Sequence, residues 1–208
     1  MKYILFITFV LTLFSCKTSD KEITEATEDQ SKIFRIFLKK FKPLDLPFIF
    51  RYGNEGDILD FEKMTAADPN SADSIFIKSD YLSSVKYYGM LKDTSKFFSL
   101  ICFYPADSYY PMLITFDKNG NRIDETSLIV NGCGGDCGLE YCSETGIINE
   151  DLSIRCVDTV RWKFSCDSLG EPIPDSDIVW VDTKNGKITK NGKLIMKNEQ
   201  QQKYRENL

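Results

Sequence analysis

The stretch Leu152-Ser153-Ile154-Arg155-Cys156-Val157-Asp158-Thr159-Val160-Arg161-Trp162-Lys163-Phe164-Ser165-Cys166 carries the fold class in its alternation. Leu152, Ile154 and Cys156 share one face of an extended chain. So do Val160, Trp162, Phe164 and Cys166, while Arg161, Lys163 and Ser165 face away. Period-two alternation of branched and aromatic residues marks a half-buried strand. Placing a loop at Val157-Asp158-Thr159 gives a hairpin that pairs Cys156 with Val160 and Ile154 with Trp162. Cys166 then lies opposite Glu150, roughly 20 Å along the ribbon from Cys156 at ~3.3 Å per residue. A disulfide needs Cα atoms within about 7 Å, so this register predicts that Cys156 and Cys166 are not bonded to each other.

Similar runs recur on both sides. Residues 85–91, 96–104, 112–116, 126–130, 140–148, 152–157, 160–166, 177–181, 187–189 and 193–196 read as strands at short intervals. Asn-Gly at 119–120, 185–186 and 191–192 supplies the positive φ of tight turns between them. Residues 96–104 are apolar on both faces, as a central strand requires. The fold class is therefore mainly β (α+β), an antiparallel β-meander. Curved sheet, sandwich and propeller-like array all remain open.

Ahead of the strands, Ile33, Phe37 and Phe41 recur at i, i+4 and i+8 with Phe34 and Leu38 beside them. This predicts an N-terminal amphipathic helix over 31–41 with Lys32, Lys39 and Lys40 outward, covering a sheet face or lying on a membrane surface. Pro43 and Pro47 end it and hold an extended entry. Residues 57–64 and 65–73 offer short helices.

No histidine occurs among the 208 residues. That removes the commonest general base and metal ligand and every Ser-His or Cys-His nucleophile pair. The net charge of −5 lacks the basic face that nucleic acid demands. No cofactor motif is present, and the sequence marks out no catalytic residue. Besides Cys16, six cysteines remain: Cys102, Cys133, Cys137, Cys142, Cys156 and Cys166. An even number in an exported chain reads as up to three disulfides. The C-x3-C-x4-C spacing of 133, 137 and 142 offers zinc as a rival, with Cys156 or Cys166 as fourth ligand, and free buried thiols as a third reading. Asp117-x-Asn119-x-Asn121-x-x-Asp124 has the alternating oxygens of a calcium loop without its distal glutamate, and reads as a hairpin turn. Tyr87, Tyr88, Phe103, Tyr104, Tyr109 and Tyr110 form either core or a carbohydrate platform.

Residues 1–15 (MKYILFITFVLTLFS) have a lysine, an apolar run too short to span a bilayer and a small residue before Cys16, the layout of an export signal. Leu13-Phe14-Ser15-Cys16 resembles the lipobox of bacterial lipoproteins, which implies a lipid on Cys16. Residues 16–30 are polar and acidic and read as a flexible tether, leaving 31–208 as a single β-rich globular domain. With the Leu-Pro-Phe entry, the Gly132–Gly138 loop, Cys166–Pro174 and the terminal Lys-Asn-Gly-Lys turns, the chain resembles uncharacterised lipoproteins of Bacteroidota-type bacteria. Asp73-Ser74-Ile75, Asp158-Thr159-Val160 and Asp167-Ser168-Leu169 match that group's O-glycosylation pattern, with Ser74, Thr159 and Ser168 as acceptors. The resemblance implies an outer-membrane protein, lipid-anchored and facing the periplasm or the cell surface. The expected role is non-enzymatic, binding an envelope protein or glycan or building structure. A carboxylate-dependent envelope enzyme such as a glycan hydrolase is the alternative.

Overall fold

Residues Phe98–Tyr104 form the most deeply buried strand, with apolar side chains on both faces. Leu100, Cys102 and Tyr104 enter one core cluster, and Ile101 and Phe103 enter another. This strand sits at the centre of a layered molecule, as its two apolar faces require. The computed structural model describes residues 19–54, 56, 59–92, 95–131, 133, 137–197 and 200–204. The export signal and Cys16 lie outside the described residues.

In chain order the elements are helix α1 (Ser19–Leu38), β1 (Lys42–Leu44), β2 (Phe48–Gly53), α2 (Asp73–Phe76), β3 (Lys86–Leu91), β4 (Phe98–Tyr104), β5 (Tyr110–Phe116) and β6 (Arg122–Ser127). They continue as β7 (Leu139–Ile148), β8 (Ser153–Trp162), β9 (Ser165–Cys166), β10 (Pro172–Ile173), β11 (Ile178–Ile188), β12 (Leu194–Met196) and β13 (Gln200–Tyr204). One sheet has the order β1-β3-β4-β5-β6, and β3 to β6 form an antiparallel meander. Only β1 joins it in parallel, against β3. The second sheet has the order β12-β11-β8-β7-β2, with β13 also pairing β11, and all its pairs are antiparallel. The chain is thus mainly β and mostly antiparallel. Its two sheets share a core in which Ile101, Phe103 and Leu113 meet Phe48, Ile148, Ile154 and Ile188.

Helix α1 covers the outer face of the first sheet. Phe34, Phe37, Leu38 and Phe41 are buried there against Tyr87, Leu100, Ile114 and Phe116, and Lys32 and Lys39 stay exposed. The helix starts at Ser19, so much of the acidic segment read as a flexible tether is helical. Glu, Lys, Ala and Gln are good helix formers, and burial of the last turns fixes the nucleus from which the helix extends backwards.

Two strand boundaries also differ from the sequence reading. Val157-Asp158-Thr159 is no loop, because β8 runs unbroken through it between β7 and β11. The hairpin turn falls earlier, at residues 149–152, where the Leu152 N–H donates to the Asn149 carbonyl. Likewise Asn185-Gly186 lies inside β11 rather than in a turn. Gly186 pairs with both Ile154 and Met196, and a Cβ there would stand 2.6 Å from the Ile195 carbonyl oxygen. Close packing of strands explains this glycine. Of the pairs read as turns, Asn119-Gly120 and Asn191-Gly192 do turn, with Gly120 at φ +88° and Gly192 at +83°.

Candidate functional site

Residues directly opposite in a ladder share a face, so the register orders the inner face of the second sheet row by row. Phe48, Ile148 and Ile154 form an apolar row inside the shared core. The next row is Phe50, Gly146, Cys156 and Lys184. Then come Tyr52, Glu144, Asp158 and Asp182. Beyond these lie Cys142, Val160 and Trp180, and finally Trp162 with Ile178. The face passes from core, through a charged layer, to an aromatic end.

The charged layer is buried: Glu144 is 0%, Asp158 2% and Asp182 9% exposed. Like charges directly opposite on neighbouring strands are unfavourable, so other groups must hold them. The segment that follows β6 does so. The Val130 N–H donates to a Glu144 oxygen, and Asn131 Nδ2 donates to Asp182 Oδ2 at 2.6 Å. Lys184 Nζ donates to the Ser127 carbonyl (3.1 Å), the Ser127 hydroxyl (3.0 Å) and the Ile129 carbonyl (3.2 Å). Gly146 permits this approach, since a Cβ there would overlap the Leu128 carbonyl. Burial raises the Asp158 carboxyl above the usual range and Asp182 adds to the effect, with Asn131 opposing it. Burial also pushes the neighbouring Cys156 thiol up to about 12.

Two openings flank this layer. A cleft of about 740 Å³ is walled by Ser127, Ile129, Val130 and Asn131 on one side and by Tyr109 and Tyr52 on others. A shallower groove of about 690 Å³ lies at the aromatic end of the sheet. Trp162 and Trp180 line it with ring centroids 6.0 Å apart in edge-to-face geometry. Ser165, Asp167 and Ser168 form its polar side. The Cys137–Cys166 disulfide closes the groove, tying β9 to the residues before β7.

The sequence candidates scatter. Cys133 bonds Cys142 and Cys137 bonds Cys166, while Cys102 and Cys156 are free and buried, so two bridges form rather than three. Cys102 and Cys156 belong to different cores on opposite faces of the first sheet, which keeps them from pairing. The absence of a Cys156–Cys166 bond holds, although the hairpin that argued for it does not exist. Cys133, Cys142 and Asp158 bring their sulfur and oxygen atoms within 4.8 Å of one another, but both sulfurs are spent in one disulfide and offer no thiolates to zinc. Asp117 spends its oxygens within the turn, accepting from the N–H groups of Asn119 and Asn121 and from Asn121 Nδ2, as a hairpin does.

Ser74 is exposed on α2 and Ser168 is exposed at the turn before β10. Thr159 is half-buried within β8 rather than displayed on a turn. The six aromatics do not gather on one surface: Tyr87 and Tyr104 enter the core under α1, Phe103 enters the core between the sheets with Tyr88 packed against it, and Tyr109 and Tyr110 reach the cleft. The sequence reading missed Glu144, Asp182 and Trp180. The parity of 178, 180, 182, 184, 186 and 188 was the available signal, since it places them on one face of a single long strand. Comparison of the chain with protein-family models, curated proteins and solved structures finds no match.

Proposed function

We propose that the chain is a lipid-anchored outer-membrane lipoprotein whose β-rich body is a non-enzymatic binding module. The observation that carries this reading is where the carboxylates lie. Glu144, Asp158 and Asp182, which face one another across the sheet, are closed beneath the 127–131 segment, whereas the accessible openings set aromatic side chains beside Asp107 and Glu125 in the cleft and Asp167 in the groove. Hydrolysis of a glycan needs two carboxyls reaching the scissile bond from opposite sides. Recognition needs an apolar surface with a few placed polar groups, which both openings supply. Attachment rests on the Ser15-Cys16 junction, and the acidic body leaves anchoring to the lipid.

The purified full chain, incubated in detergent with delipidated cell envelopes so that its lipid cannot anchor it, is expected to sediment with them and to release no new reducing sugar ends. The second reading, an envelope glycan hydrolase, draws on the raised Asp158 carboxyl beside Asp182, a pattern that also serves general acids. Release of reducing ends that disappears in Asp158→Asn would establish that alternative and overturn the first.

A further inference from the structure

We infer that the Trp162–Trp180 groove is a binding site for neutral pyranose glycans; this names the ligand of the binding-module reading and rests on it. The chain has two tryptophans, and both converge on this groove from strands β8 and β11. They meet at the end of the inner face, past the charged layer, and both are partly buried in the groove wall. Each indole contributes part of its face to a concave apolar lining with polar groups at the edge, the composition of a ligand site.

The rim selects among ligands. The C–H faces of a pyranose ring are apolar and pack on indole, while its hydroxyls need donors and acceptors at the edge. Ser165, Ser168 and Asp167 stand at that edge. Asp167 is held ionised below the usual carboxylate range by the Glu171 and Leu169 N–H groups, which leaves the rim with an acceptor. Among the described residues no lysine or arginine lines the groove, so phosphates, uronic acids and acidic peptides meet no counter-charge there. Ile178 extends the apolar floor.

Because both tryptophans line the groove, their emission reports its occupancy alone. The full chain in a non-glycosidic detergent is titrated with cellopentaose, chitopentaose and a galacturonic acid pentamer. A saturable emission shift with a neutral oligomer is expected, and none with the anionic one. Trp162→Ala or Trp180→Ala should weaken binding by about two- to tenfold by calorimetry, the loss of one aromatic stacking contact. Trp180→Phe, which keeps an aromatic face and the strand packing, should lose less, and Tyr81→Ala on a distant exposed turn should lose nothing. Emission unmoved by both neutral oligomers, a preference for the anionic one, or affinity indifferent to folded Trp180→Phe and Trp180→Ala would overturn the assignment. If envelope sedimentation then persists in Trp180→Ala, the glycan site alone falls. If sedimentation is absent as well, the binding-module reading falls with it.

Discussion

Asp158 stands directly opposite Asp182 across the β8–β11 ladder, and both are buried. Burial and this neighbour raise the folded-state pKa of Asp158. Between the unfolded and the folded pKa the folded protein therefore holds a proton there that the unfolded chain has already released. The penalty is present above the folded pKa and is relieved as pH falls through it. Asp158→Asn is expected to stabilise the protein at neutral pH by about 0.2–1 kcal/mol, the scale of one like-charge pair removed from a ladder. Denaturant melts across pH should show the gain shrinking on acidification. A loss of stability at neutral pH would show that the carboxylate is held by more than it repels.

Asp73 behaves in the opposite sense. Burial acts to raise it, but the Asp68 N–H, Lys40 at 2.5 Å and the neighbouring Tyr87 outweigh burial and bring its pKa below the ordinary value. A depressed carboxyl stabilises the fold above the unfolded pKa, and that contribution is lost as pH falls through the folded one. Asp73→Asn should cost about 1–3 kcal/mol at neutral pH and approach nothing in acid, as read by thermal melts.

The bridges differ in loop length, with sequence separations of 9 for Cys133–Cys142 and 29 for Cys137–Cys166. In the chain-entropy account each contributes about 2–4 kcal/mol, the longer loop about 1 kcal/mol more. The Cys137→Ser/Cys166→Ser pair should therefore melt lower than Cys133→Ser/Cys142→Ser. Cys102 and Cys156, buried and with raised thiol pKa values, should resist alkylation until the protein is denatured. Peptide mapping before and after denaturation checks this.

Gly146→Ala places a methyl group against the Leu128 carbonyl, which is backbone and cannot rotate aside. About 1–3 kcal/mol of destabilisation is expected, as for overpacking in a core. The same shift should disturb the 127–131 wall of the cleft. Exchange of the Val130 amide, held by Glu144, reads it directly.

Cys16→Ser tests attachment. Loss of the lipid should release the protein from the membrane pellet or leave it unprocessed, and unchanged partition would exclude the lipoprotein.

The apolar face of α1 and the two-faced burial of β4 were legible because each follows from residues close in sequence. The continuity of β8 was not, although residues 152, 154, 156, 158, 160 and 162 keep one parity throughout. A buried aspartate in mid-strand carries the same letter as an aspartate in a turn, and only the Asn131 contact and the pairing of β8 between β7 and β11 mark Asp158 as the former. Asn185-Gly186 misled for the same reason, since Gly there answers the approach of β12. The groove was illegible because Trp162 and Trp180 meet only through the β8–β11 register.

The two kinds of Asn-Gly pair also set how this protein ages chemically. Deamidation requires the glycine nitrogen to swing onto the asparagine side-chain carbonyl and close a succinimide ring. Asn119-Gly120 and Asn191-Gly192 sit on turns with exposed asparagines. Asn185-Gly186 is clasped on one side by β8 and on the other by β12, where the Lys197 N–H donates to the Asn185 carbonyl at 2.6 Å. Among these three pairs isoaspartate should therefore accumulate at the two turns while the strand pair stays intact, leaving a record in stored protein of which of them the fold has locked.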